Sequence, residues 1–390
     1  MNVPKLRFKE FNDEWQNYKV EEILKISNGI NKEKEFFGSG TPIINYMDVN
    51  KNELISHNIV KGLVIANSKE LETFNVKKGD ILFTRTSETS DEIGLSSSVI
   101  ENIDKCIFSG FILKGTQTKQ FIHPYFGGYY FRNPKMRKEI IKHSSITTRA
   151  LTSGSLLSQM SISIPTIIEQ EKIGKTLSLL DKKVELQAKK IEDLKLFKLY
   201  TKNQIFKDYD EIFKLKDILV KWNKKNKNNS VKYVESISNK YGFISQSDQF
   251  EDRNVASKDL NNYYIIEKGV FGYNPSRLNV GSLALKTNDK VSVVSPLYEC
   301  FTTSQNNQYL LEWFDSKYFR KETISKFEGG VRNTLNFSNL CEIEIGLPTI
   351  EKQNKYSKIF KIFNNKIEFE VKKLYKLQEL KKGLMQSIFV

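Results

Sequence analysis

The sequence predicts an α/β (α+β) protein made of two related units, each closed by a long helix. Three observations carry this: a gapless internal repeat, a coiled-coil periodicity at the end of each copy, and short strand-like runs before each helix. Residues 123–206 reappear as residues 306–389 at a constant shift of 183. From Pro165 to Phe206, aligned with Pro348 to Phe389, 14 of 42 positions are identical, including Gln170/Gln353, Glu185/Glu368, Lys189/Lys372 and Lys190/Lys373. The same shift pairs Tyr130-Phe131 with Trp313-Phe314 and Arg149 with Arg332. Further upstream small gaps are needed, yet Tyr18–Leu24 resembles Phe213–Leu219 and Val76–Gly79 resembles Ile266–Gly269. The copies therefore hold one part of the fold and vary another.

The repeated ends are helices by spacing. Ile173, Leu177, Leu180, Val184, Ile191 and Leu194 alternate steps of four and three with a break at Gln187, and Tyr356, Phe360, Phe363, Ile367, Leu374 and Leu377 follow the same pattern, broken at Glu370. Such a seam asks for a helical partner, and the other copy supplies one if the two pair antiparallel. Pro165 and Pro348, each followed by Thr, suit helix starts, because proline needs no amide donor there and threonine caps. Roughly 40 residues at about 1.5 Å each give a rod of about 60 Å.

Before the helices, the runs Asp80–Thr84, Ile107–Leu113, Val291–Ser295, Ser161–Ile164 and Glu342–Ile345 read as strands, with helices expected over Pro124–Lys142 and Asn307–Phe327. The expected layout is an α/β domain at 1–165, a central helix at 166–206, a second α/β domain at 207–348 and a C-terminal helix at 349–390.

A formal charge of +15 and a pI near 9.3 favour a polyanionic partner, nucleic acid first. A lysine-rich composition, visible at Lys221–Asn229, gives the same sign without a partner. The three cysteines, Cys106, Cys300 and Cys341, are too few and too scattered for a disulfide framework or a zinc site, which suits a reducing compartment. No signal-like or membrane-length apolar run occurs, so a soluble cytoplasmic protein is expected.

Catalytic chemistry is hard to find. His57, His123 and His143 lie apart from any metal-ligand spacing. Gly174-Lys175-Thr176 imitates a phosphate loop but has Glu169 where a glycine is required and lies inside a predicted helix. Tyr273-Asn274-Pro275-Ser276 only faintly matches an amino-methyltransferase signature, since Ser276 and Arg277 replace the second proline and the aromatic. No catalytic residue, cofactor site or metal site is assigned.

Polar and basic loops remain. Thr84, Arg85, Thr86 and Ser87 follow one strand, and Asn274, Ser276 and Arg277 follow another. Arginine reads guanine bidentately in the major groove, while Ser, Thr and Asn contact base edges or phosphates. Arg149 and Arg332 form a second candidate pair, for which a structural salt bridge is an equally good reading.

Two divergent α/β units alternating with two similar helices on a basic chain resemble the specificity subunits of type I restriction-modification enzymes. The opening Pro4–Phe11 with Trp15, the segment Lys78–Leu82 and both Pro-Thr-Ile segments carry the resemblance, which spans the chain. It implies a prokaryotic, non-catalytic DNA-recognition subunit whose divergent units each read half of a bipartite, asymmetric site on double-stranded DNA. It also implies helices that set half-site spacing and dock two methyltransferase subunits, with restriction subunits completing the complex. S-adenosylmethionine and ATP with Mg would then sit on partner subunits. The central helix lacks the short Thr-Ala-Glu-Leu tandem repeat from which spacer length is counted. A different class of reading is a coiled-coil scaffold whose α/β units bind something other than DNA.

Overall fold

The computed structural model describes residues 3–146, 149–239, 241–246, 259–324 and 334–390, with the backbone alone at 279–280. Two compact units emerge, and neither is a continuous stretch: the first comprises Met1–Ala188 with Lys372–Val390, the second Lys189–Val371.

In the first unit a five-stranded sheet has the order Leu24–Asn28, Ile112–Gln117, Ile81–Thr84, Ser96–Val99 and Leu54–Ile55. Its first three pairings are antiparallel and the last is parallel. In the second unit the strands Leu219–Lys221, Glu299–Thr303, Phe271–Tyr273 and Leu283–Leu285 take the corresponding order. Each unit also pairs an early strand with the strand before its long helix: Gln16–Lys19 with Ser161–Ile164, and Glu211–Lys214 with Glu344–Leu347. The expected strand over Ile107–Leu113 is broken at Gly110-Phe111 into Ile107–Phe108 and Ile112–Gln117. The expected helix over Pro124–Lys142 is two helices, Pro124–Tyr130 and Pro134–Lys142. Pro134 has no amide to continue the first, and the Asn133 side chain accepts from the amides of Lys135 and Met136 to start the second. Asn307–Phe314 and Lys317–Ile324 repeat the interruption, and 325–327, the end of the expected helix over Asn307–Phe327, lie outside the described residues.

The long helices are Ile167–Ile205 and Ile350–Ser387. Their seams face inward: Ile173, Leu177, Leu180, Ile191 and Phe360 are buried, and Val184, Leu194, Tyr356, Phe363, Ile367, Leu374 and Leu377 are half-buried. They run antiparallel within each unit. In the first, Asp181 meets Lys381 at 2.6 Å. In the second, Lys190 meets Glu370 at 2.6 Å and Phe197 meets Phe363 at 5.5 Å between centroids. Each helix starts with a buried glutamine. Gln170 Nε2 donates to the carbonyls of Phe121 and Pro165 and its Oε1 accepts from the His123 amide. Gln353 repeats this toward Pro348 and the Asn306 amide. Gly174 belongs to the helix and not to a phosphate loop: a Cβ there would lie 2.5 Å from the Phe126 amide nitrogen, so only glycine admits this crossing.

The first core gathers Trp15, Phe83, Phe126, Tyr129, Tyr130 and Phe131 around Ile173 and Leu177, with Ile388 and Phe389 from the returning helix. The second gathers Phe271, Phe301, Tyr309, Trp313 and Phe314 around Phe360, with Ile205 and Phe206 from the other helix. Each helix end thus completes the core of the unit built by the other repeat. Burial pushes the thiols of Cys106 and Cys300 up to about 12, so both pack as small apolar groups. Among the described residues no helix is long and apolar enough to cross a membrane.

Candidate nucleic-acid interface

Both candidate loops leave the sheet at matching places. Gly79 and Gly269, each at φ +93, turn the chain into Ile81–Thr84 and Phe271–Tyr273, and the loops follow. The positive φ costs a non-glycine residue steric strain, which explains the shared Lys-Gly.

In the first unit the loop turns its small side chains inward. Thr84 is fully buried; its hydroxyl donates to the Glu92 carbonyl and accepts from the Leu95 amide, both at 2.9 Å. Ser87 is buried as well, accepting from the Thr89 amide at 3.2 Å and donating to the Glu92 carboxylate at 3.4 Å. These two hydroxyls therefore shape the turn in this arrangement. Arg85 and Thr86 are half-buried, with the Arg85 carbonyl accepting from the Thr152 amide at 3.0 Å. Thr86–Ser87 pairs with Ala150–Leu151, which pairs with Ser145–Ile146. That small sheet brings the exposed Arg149 beside the Arg85 loop. Phe111, whose carbonyl accepts from the Arg85 amide, is 62% exposed, and Ile146 and Leu151 are exposed too. Sequence reading missed this apolar trio; the exposed Phe111 directly after Gly110 is the one break in its strand-like run that marks it.

Beneath the loop, Arg137 donates from Nη2 to the carbonyls of Asp91 and Ile93 at 3.1 and 2.5 Å. Burial pulls its guanidinium down to about 10.

In the second unit Asn274 caps the 3-10 turn Pro275–Val280, accepting from the Ser276 amide at 3.1 Å. Ser276 and Arg277 are exposed. The Pro275 carbonyl accepts from the Leu335 amide at 3.1 Å. Leu335 is the repeat partner of Thr152, so the same position of the repeated frame pins both loops. Arg332 lies outside the described residues. The loops differ in charge: Glu88, Asp91 and Glu92 stand exposed beside Arg85, whereas 274–281 holds Arg277 and no acid.

The duplicated frame thus presents two unlike polar loops at equivalent strand ends. Known proteins place it more narrowly. Residues 12–196 match the family described as Type I restriction modification DNA specificity domain. The putative type I restriction enzyme MjaX specificity subunit of Methanocaldococcus jannaschii is 23% identical over 422 residues, covering 99% of this chain and 95% of that one. The crystal structure of the type I restriction-modification system S subunit from M. genitalium superposes with a TM-score of 0.61 at 15% identity, covering 100% of this chain and 99% of the other. A structure from work on complex assembly and conformational transition of the type I R-M system gives 0.57 at 13%, covering 96% and 97%. Residues 12–196 thus match the type I specificity domain, and over its whole length the chain is similar in sequence and in fold to type I restriction-modification specificity subunits.

Proposed function

We propose that this chain reads a bipartite, asymmetric sequence on double-stranded DNA, one half through each unit, as the non-catalytic specificity subunit of a methyltransferase and endonuclease complex. The observation that carries this is the pair of loops pinned by the same frame position, Thr152 in one unit and Leu335 in the other, yet built from different side chains. Arg85, Thr86 and Arg149 would face one half-site, Ser276 and Arg277 the other, with Arg332 as a further cation there. Thr84, Ser87 and Asn274 hold the loops in shape. The long helices set the half-site spacing and dock two methyltransferase subunits, with restriction subunits joining the full complex. Leu179 and Leu186 in the first unit, and their repeat partners Ile362 and Phe369 in the second, are all more than half exposed. Seven residues is close to two helical turns, so each pair shares a helix face, and a surface duplicated this way suits two copies of one partner. S-adenosylmethionine and ATP with Mg would be held by those partners.

The test is the methylation pattern of cells carrying this chain with its partner subunits. Arg277→Ala is expected to relax base preference in one half-site only, and Arg85→Ala in the other. A pattern unchanged at both halves in both variants sinks the assignment of the loops. Absence of any salt-dependent duplex binding sinks the DNA reading altogether.

A further inference from the structure

The arriving helix end in each unit is seated in a cluster of ionisable groups, and repeat-equivalent positions of the two seats carry different charge. In the second unit, Lys198 Nζ lies 2.9 Å from Glu312 Oε1 and 2.7 Å from Asn364 Oδ1. One turn on, the buried Lys202 Nζ lies 3.2 Å from Glu312 Oε2 and 2.8 Å from Asp315 Oδ2. In the first unit Lys381 occupies the place of Lys198, 2.6 Å from Asp181 Oδ1 and 2.9 Å from Glu53 Oε1. There the equivalence stops. Met385 stands where the other helix has Lys202 and packs against the apolar core. Tyr129 and Arg132 stand where the other unit has Glu312 and Asp315. Tyr129 donates its hydroxyl to Asp181 at 2.6 Å, and the Arg132 guanidinium donates to the carbonyls of Val49, Asn50, Asn52 and Ser96.

Exchanging the helix ends would mismatch both seats. Lys202 set against Tyr129 and Arg132 would bring a third cation to a seat whose two carboxylates, Glu53 and Asp181, already face a lysine and Arg132. Met385 set against Glu312 would leave that buried carboxylate one lysine where it now has two. Buried charges whose signs do not balance are costly, since water is not there to compensate the excess.

We propose that positions 129/312, 132/315 and 202/385 form a pairing code that admits only unlike halves. The end of the first repeat's helix seats on the second unit, the end of the second repeat's helix on the first, and pairing of like halves between two copies of this chain is excluded. The inference needs no DNA and stands apart from the loop assignment. Such a code keeps the two different loops in one assembly, whatever sequence they read.

Full-length chain tests it. Lys202→Met combined with Met385→Lys exchanges the arriving residues while leaving both seats intact. Like halves from two chains then match better than unlike halves of one, so light scattering is expected to show the mass move from one chain to two. A single-chain mass with the wild-type urea midpoint overturns the code. Should the exchanged chain not fold, a cycle within the second unit decides. Glu312→Tyr, the residue of the other seat, is expected to lower the urea midpoint by taking the buried carboxylate from Lys202, and Lys202→Met in the same chain to raise it again. A loss that Lys202→Met leaves uncorrected overturns the proposal.

Discussion

The loop after Thr84 and the loop after Tyr273 leave related sheets at the same place, are pinned at the same repeat position, and present opposite electrostatics. The first surrounds Arg85 with Glu88, Asp91 and Glu92 and is clamped from below by Arg137. The second offers Arg277 with no acid nearby in sequence and is closed by an asparagine cap and Gly281 at φ +87. A frame that fixes where a loop begins does not fix what it displays. Under the proposed DNA reading, carboxylates would weaken attraction to phosphate but accept from base amino groups, which would make the first loop the more selective and the second the more strongly held.

The sharpest way to break the apparent symmetry lies in the frame itself. Gly174→Ala would force a Cβ against the Phe126 backbone and is expected to cost about 3 kcal/mol. Its repeat partner Ser357 is half-buried and already carries a Cβ, so Ser357→Ala should cost far less in the same urea titration.

Next comes the seat of Lys381, where Lys381→Met takes the lysine from Glu53 and Asp181 and leaves only Arg132 nearby, at a cost of about 2 kcal/mol at neutral pH. Burial works against both charges of the pair, yet Lys381 and Arg132 hold the Glu53 carboxyl below its usual range. Glu53 and Asp181 hold the Lys381 ammonium above its own. A depressed carboxyl stabilises above its unfolded pKa and loses that contribution as pH falls. A raised ammonium stabilises below its unfolded pKa and loses that contribution as pH rises through the folded value. The penalty of Lys381→Met should therefore be fully present between roughly pH 4.3 and 10.4 and shrink on acidification below that. A penalty that persists unchanged at pH 3 would exclude the ion pair as its source.

A smaller contrast concerns repeat partners Arg137 and Arg320. Arg137→Ala frees the carbonyls of Asp91 and Ile93 and should cost about 1.5 kcal/mol. Arg320 is 74% exposed, so Arg320→Ala should change stability by less than about 0.5 kcal/mol. The smallest effect tests the loops: Arg277→Ala should lower the slope of log affinity against log salt by about one, alongside the relaxed preference at its own half-site. Arg85→Ala should move the slope less and the half-site preference more. Equal slopes for the two variants would erase the distinction drawn between the loops.

Much of this was legible in the order of residues. The spacing of Ile173, Leu177 and Leu180 placed them on one buried face, because a helix converts sequence spacing directly into direction. The strand Ser161–Ile164 and the break before each long helix followed from alternation and from proline. Loop side chains obey no such rule. Thr84 and Ser87 look like surface hydroxyls beside Arg85, yet both turn in, because Glu92 and Leu95 fold back over them. Arg137 lies within the expected helix Pro124–Lys142 with nothing in the sequence to single it out, while the fold places it under the loop it holds.

By itself the sequence determined the duplication, the two long helices and their seams, and the positions where polar loops leave the strands, since each depends on neighbours within a few residues. Only the tertiary structure decided which helix end completes which core and which charges meet there. Lys198 reaches Glu312 across 114 residues and Lys381 reaches Glu53 across 328. No local periodicity encodes such pairs. They are selected by burial, where a charge must find its opposite within a few ångströms or not be buried at all.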